Sequence, residues 1–82
     1  MSKVDKLLDK AKNSPRNISF SELETLAALY GLPLEPGKGG GSHYIQSLPD
    51  GTKNTIPRKG RRVLWIYVNR VVDAIETFGR KQ

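Results

Sequence analysis

Two stretches of helical periodicity, a middle region of period two and a third helical stretch predict an α+β domain. It would be a three-stranded antiparallel sheet with helices packed on one face, in the order α-α-β-β-β-α. Three observations carry the prediction. Val4, Leu7, Leu8 and Ala11 recur at spacings of three and four, as do Leu23, Leu26, Ala27 and Tyr30. Between Leu32 and Ile56 apolar and polar residues alternate, broken by turns rich in glycine and proline. Val68, Val71, Val72, Ile75 and Phe78 then return to the helical spacing.

Residues 3 to 12 form the first expected helix, with Ser2 as its N-cap and Asn13-Ser14-Pro15 as its stop. The second opens on a capping box, Ser19 with Glu22 three residues later, and Ile18 can staple against Leu23. Gly31 stands where a left-handed residue closes a helix. Leu32 and Leu34 flank Pro33, which cannot donate to a ladder, so the first strand there is short and lies at an edge. The loop Pro36-Gly37-Lys38-Gly39-Gly40-Gly41 follows. Ser42 to Leu48 is the second strand, with Tyr44, Gln46 and Leu48 on one face and His43, Ile45 and Ser47 on the other. Pro49-Asp50-Gly51-Thr52 is a turn with positive φ at the glycine, and Lys53 to Ile56 is the third strand of a meander. The basic turn Pro57-Arg58-Lys59-Gly60-Arg61-Arg62 leads into Val63 to Tyr67, which suits either a strand end or a helix start. The β-branched residues of the last stretch lower helix propensity, so that helix rests on its periodicity, with Asp73, Ala74 and Glu76 on the other face.

The chain has 82 residues and no cysteine. That length makes one domain, residues 1–82, with 1–16 as an N-terminal helical extension of a core over 17–77. Without thiols there is no disulfide framework and no thiolate zinc site. No apolar run approaches a signal-peptide core or a membrane span, so the expectation is a soluble cytoplasmic protein. The net charge is +6, and all of the excess follows residue 52. Before it, cations and carboxylates balance. After it, Lys53, Arg58, Lys59, Arg61, Arg62, Arg70, Arg80 and Lys81 face only Asp73 and Glu76. Such asymmetry favours an anionic partner, nucleic acid above all.

The only histidine, His43, sits in Gly39-Gly40-Gly41-Ser42-His43-Tyr44-Ile45, where the glycine run enters a strand. An imidazole can act as acid or base near neutral pH, and the glycines, with Gly41 and Ser42 next to the ring, allow a ligand backbone to approach closely. Carboxylates are scattered, Glu35 before the loop and Asp50 after the strand, so no hard-cation site is expected and no cofactor. The loop also lacks the terminal Lys-Ser/Thr of a P-loop and does not open a helix, which excludes nucleotide hydrolysis of that kind. RNA carries its own nucleophile in the 2′-hydroxyl, so cleavage needs a base, an acid and cations near the phosphorane. His43 can supply one proton transfer, leaving the other to water, Tyr44 or a lysine. Lys38, Lys53, Arg58, Lys59 and Arg61 are the candidate phosphate contacts, and Arg62 can extend the track. Tyr44 and Trp65 have faces on which unpaired bases stack, although Trp65, Tyr30, Tyr67 and Phe78 read first as core.

With Gly31 after a helix, Gly-Ser-His-Tyr-Ile opening a strand, Thr55-Ile56-Pro57 closing the next and an apolar C-terminal helix, the chain resembles the HicA family over roughly residues 17 to 77. These are small toxins of bacterial and archaeal toxin–antitoxin pairs, mRNA interferases on a fold like that of double-stranded-RNA-binding domains. The resemblance implies that His43 is catalytic, that mRNA is the substrate, and that a HicB-type antitoxin covers the histidine. Two departures stand out: three glycines precede the serine where one is usual, and the proline or glycine common before the last helix is absent from Val63-Leu64-Trp65-Ile66. The alternative is a non-catalytic RNA- or DNA-binding module, in which Lys59 and Arg61 matter and His43 does not. A pure protein-interaction domain would show no salt-dependent RNA binding at all.

Overall fold

The computed structural model describes residues 3–37 and 42–80, with side chains from Asp5 onward. Ser2, Lys38, Gly39, Gly40, Gly41 and Lys81, which entered the expectations above, lie outside them. The elements follow the predicted order. Helix α1 (Lys3–Asn13) and a single 3₁₀ turn (Pro15–Asn17) lead to helix α2 (Phe20–Leu29). Strands β1 (Glu35–Pro36), β2 (His43–Ser47) and β3 (Lys53–Pro57) precede helix α3 (Trp65–Phe78). The strands form one antiparallel sheet in the order β1-β2-β3.

Helix α2 is closed at both ends by its local sequence. Ser19 Oγ accepts the Glu22 N–H, and the Glu22 carboxylate accepts the Ser19 N–H, so both halves of the capping box are made. Ile18 and Leu23 are both buried at this end. At the other end Gly31 takes φ 76°, the Gly31 N–H donates to Ala28 O and the Leu32 N–H donates to Ala27 O. That pair of bonds is the Schellman arrangement, which a residue with a Cβ would strain.

Glu22 also holds α1, since Lys10 Nζ donates to its carboxylate at 2.8 Å. The lysine bond first, and the Ser19 N–H second, keep the Glu22 carboxyl below its ordinary 4.5. A carboxyl lowered by folding contributes stability above its unfolded value and loses it as pH falls through the folded one. Glu22→Gln keeps an acceptor for Ser19 but loses the charge. Urea titrations should therefore find the wild type more stable than Glu22→Gln at pH 7, with the gap closing below pH 4.5. A gap that does not change with pH would refute the assignment.

The first strand lies further along than expected. Leu32 and Leu34 are buried and carry the chain from α2 into the core without joining the ladder. Pairing begins only at Glu35 and Pro36, opposite Ile45 and Tyr44. Pro33 has no N–H to give a ladder, and the Leu32 carbonyl accepts a side chain: Gln46 Nε2 donates to it at 2.9 Å, and Asn54 Nδ2 donates to Gln46 Oε1 at 3.0 Å. Gln46 is 0% exposed and is the buried polar side chain of the core. Gln46→Leu keeps most of the volume but leaves the Leu32 carbonyl and the Asn54 amide without this partner, so chemical denaturation should show a loss of about 1–3 kcal/mol. A loss below about 0.5 kcal/mol would mean that the network contributes nothing net.

Alternation along the sheet sends Tyr44, Gln46 and Ile56 toward the helices and leaves His43, Ser47, Lys53 and Thr55 exposed on the outer face. The ambiguous run resolves as a helix start, with Val63 buried, Leu64 at the N-cap and α3 beginning at Trp65. Its buried stripe is Val68, Val71, Val72 and Ile75, and it includes Ala74, which was expected on the solvent side. The stripe is wider because α3 packs against α1 and α2 as well as β3. Among the described residues, no helix is long and apolar enough to cross a membrane.

Candidate functional site

His43 is the first residue of β2 and is held by backbone on both sides. Across one ladder it faces Pro57, and the Arg58 N–H extends that ladder by donating to Ser42 O at 2.6 Å. On the other side Gly37 donates its N–H to His43 O at 2.9 Å. A Cβ on Gly37 would lie 3.2 Å from that same oxygen, so the absence of a side chain lets the chain from β1 close this tightly. The His43 side chain is exposed on the outer face, and Ser42 before it is exposed too.

The cations expected to serve His43 divide into separate groups. Lys53 shares the outer face but pairs with Ser47 at the far end of the ladder, about 13 Å along the strand from the histidine position. Arg58 is half-buried and engaged within the fold. Its guanidinium lies over the Phe20 ring at 4.9 Å to the centroid, Nε donates to Gly60 O at 3.1 Å, and one terminal nitrogen approaches the Tyr44 hydroxyl at 3.4 Å. Lys59, Arg61 and Arg62 are exposed on a tight turn, closed by the Arg62 N–H donating to Lys59 O and by positive φ at Gly60. This turn is fastened to the start of α2, where the Phe20 N–H donates to Arg61 O at 2.9 Å and Ser19 bridges Arg62. Lys38 and Gly41 lie outside the described residues. The Tyr44 ring packs tilted against Phe20, with centroids 4.7 Å apart, on the face opposite His43. From there it shares no face with His43.

Trp65 reads first as core from the sequence, and the structure places it elsewhere. It is 44% exposed, between Leu64 at 62% and Ile66 at 43%. Arg16 lies over its ring at 5.6 Å to the centroid, within cation–π range. Between the 3₁₀ turn, the start of α2, the basic turn and the start of α3 lies an open groove of about 780 Å³. Arg16, Lys59, Arg61 and Arg62 line it with Trp65, and Pro57 forms its rim toward the sheet. Its one carboxylate is Glu22, already bonded to Lys10 and Ser19. The approach of Arg16 to Trp65 has no local sequence signal, since the two residues lie near opposite ends of the chain. Gly37 carried a partial signal as the first glycine of the loop.

Glu35 and Asp50 do not converge, and among the described residues no three histidine, aspartate or glutamate side chains gather in one place. Asp50 is committed to its own turn: the Thr52 hydroxyl and N–H donate to its carboxylate and hold that carboxyl below its ordinary value. The described residues thus present an exposed imidazole at a strand end and, one strand away, a basic groove with an exposed indole. No family model, no curated protein and no solved structure matches this chain.

Proposed function

We propose that the protein is a metal-independent endoribonuclease of the HicA type, acting on mRNA through His43 and held inactive by a HicB-type antitoxin laid over that residue. The observation that carries the reading is the placement of the only histidine, exposed at the end of β2 with its backbone clamped by Gly37 and by the Pro57 strand. A ring presented this way can reach a ligand that crosses the sheet end. In the reaction His43 removes the proton of the 2′-hydroxyl as that oxygen bonds to phosphorus. The bond from phosphorus to the 5′-oxygen breaks, and water or a lysine protonates the leaving oxygen. The products are a 2′,3′-cyclic phosphate and a free 5′-hydroxyl. Charge that builds on the phosphorane calls for a cation beside His43, for which the sequence offers Lys38 of the glycine loop. The motif order Gly-Ser-His followed by Ile-Pro supports the family reading, and the scattered carboxylates favour a route without a bound metal.

One observation favours a second reading. The basic groove is not lined by His43, so the same surface can bind nucleic acid without cutting it. Induced expression of wild-type and His43→Ala protein in a bacterial host, with mRNA integrity followed in parallel, separates the two. Growth arrest with mRNA loss in the wild type, both cured by alanine, is the expected result. Normal growth and intact mRNA with soluble, folded wild-type protein would leave the binding module.

A further inference from the structure

We infer that the groove between the basic turn and α3 is a binding site for single-stranded RNA, with an unpaired base stacked on Trp65 and the adjoining phosphates held by Arg16, Lys59, Arg61 and Arg62. The inference deepens the proposed function by naming how its substrate is held, and it rests on that reading only for the step of cleavage. Three features converge on it. The exposed large apolar side chains of the described residues, Leu64, Trp65 and Ile66, are consecutive rather than scattered over the surface, and Leu64 and Trp65 line the groove. Four cations surround them, and the single lining carboxylate is neutralised by Lys10. A basic track interleaved with an aromatic face is the chemistry of single-strand binding, because every base has a face to stack and every linkage a charge to pair. A duplex keeps its bases stacked on one another and has none to offer the indole.

The groove also stands in the right relation to His43. Pro57, at its rim, is the ladder partner of the histidine, so the two positions are about 5 Å apart between Cα atoms. An RNA strand leaving the groove over Pro57 reaches the imidazole within one strand spacing. The groove is the anchor and the strand end is the point of attack. An anchor of this kind binds the flanking nucleotide rather than the one that is cut.

Trp65 is the only tryptophan of the chain, so its fluorescence reports on this groove alone. The probe is a 2′-O-methyl oligoadenylate of about eight nucleotides, which cannot be cleaved because its 2′-oxygen is blocked. It should quench the fluorescence saturably, with affinity falling as salt rises, while the matching duplex RNA quenches little. Trp65→Leu, followed by anisotropy of a labelled probe and checked for fold by circular dichroism, should bind about 5- to 150-fold more weakly, the range one stacked base supplies. Trp65→Phe, which keeps an aromatic face, should retain most of the affinity. Unchanged fluorescence, or wild-type affinity in a folded Trp65→Leu, would overturn the inference and leave the groove to an acidic protein partner. Quenching without any cleavage of ordinary RNA sustains the groove and sinks the role of His43. Cleavage at limiting RNA that is equally fast in Trp65→Leu sinks the groove and spares His43.

Discussion

His43→Ala is expected to slow RNA cleavage by about 10²- to 10⁴-fold, the contribution of one positioned acid–base group, with the fold and the affinity for RNA preserved. The residue is exposed, and the bonds that fasten it to β1 and β3 are backbone bonds that alanine keeps. The stability change should therefore stay within about 0.5 kcal/mol. Single-turnover cleavage of a single-stranded RNA in the presence of a chelator measures the effect, and salt-dependent binding measured alongside separates chemistry from docking. Lys59→Ala and Arg61→Ala should behave oppositely, weakening binding and lowering the salt slope by about 0.7 for each phosphate that is no longer neutralised. A His43→Ala protein that cleaves as fast as wild type would remove the histidine from the mechanism.

Phe20→Ala is expected to cost about 3–5 kcal/mol, a large share of the 5–15 kcal/mol typical of a whole domain. Its side chain is fully buried at the first residue of α2. Truncation opens a cavity, removes the ring against which Tyr44 packs, and removes the face under the Arg58 guanidinium. Thermal unfolding should show a fall in Tm of at least about 12 °C. Phe20→Leu keeps much of the apolar volume and loses only the ring contacts, so it should remain folded at a smaller cost. Because the basic turn is seated on this ring through Arg58, Phe20→Leu should also weaken RNA binding. A Phe20→Ala protein within about 1 kcal/mol of wild type would show that the turn and the core are not joined through this residue.

The features legible in the sequence are those set by short-range rules. The capping box of Ser19 and Glu22, the left-handed Gly31 and the alternation of β2 each involve residues within four positions, and each forms as expected. The displaced first strand was not legible, because the bond that occupies the Leu32 carbonyl comes from Gln46, 14 residues away. Alternation puts Gln46 on one face with Tyr44 and Leu48 but says nothing of what it meets there. Ala74 shows the same limit: periodicity marks one apolar stripe on α3, while its width depends on how many neighbours pack against it. At the candidate site, alternation put His43 on the face opposite Tyr44, and packing of the helices decided that this face is the exposed one. The commitment of Arg58 to Phe20 and Gly60 did not, because a charge count treats every arginine as a free cation.

The order of the elements, the two faces of β2 and the concentration of positive charge beyond residue 52 are all written in the amino-acid sequence. Packing alone brings Arg16, from the neutral half, to Lys59, Arg61 and Arg62 around an exposed Trp65, one strand from His43. The physical reason is one of range. Local periodicity records which side of a segment avoids water, and turns and caps record where it stops. Which other segment covers that side, and which residues of the first turn of α3 are left uncovered before its buried stripe begins at Val68, is settled when distant parts of the chain pack together.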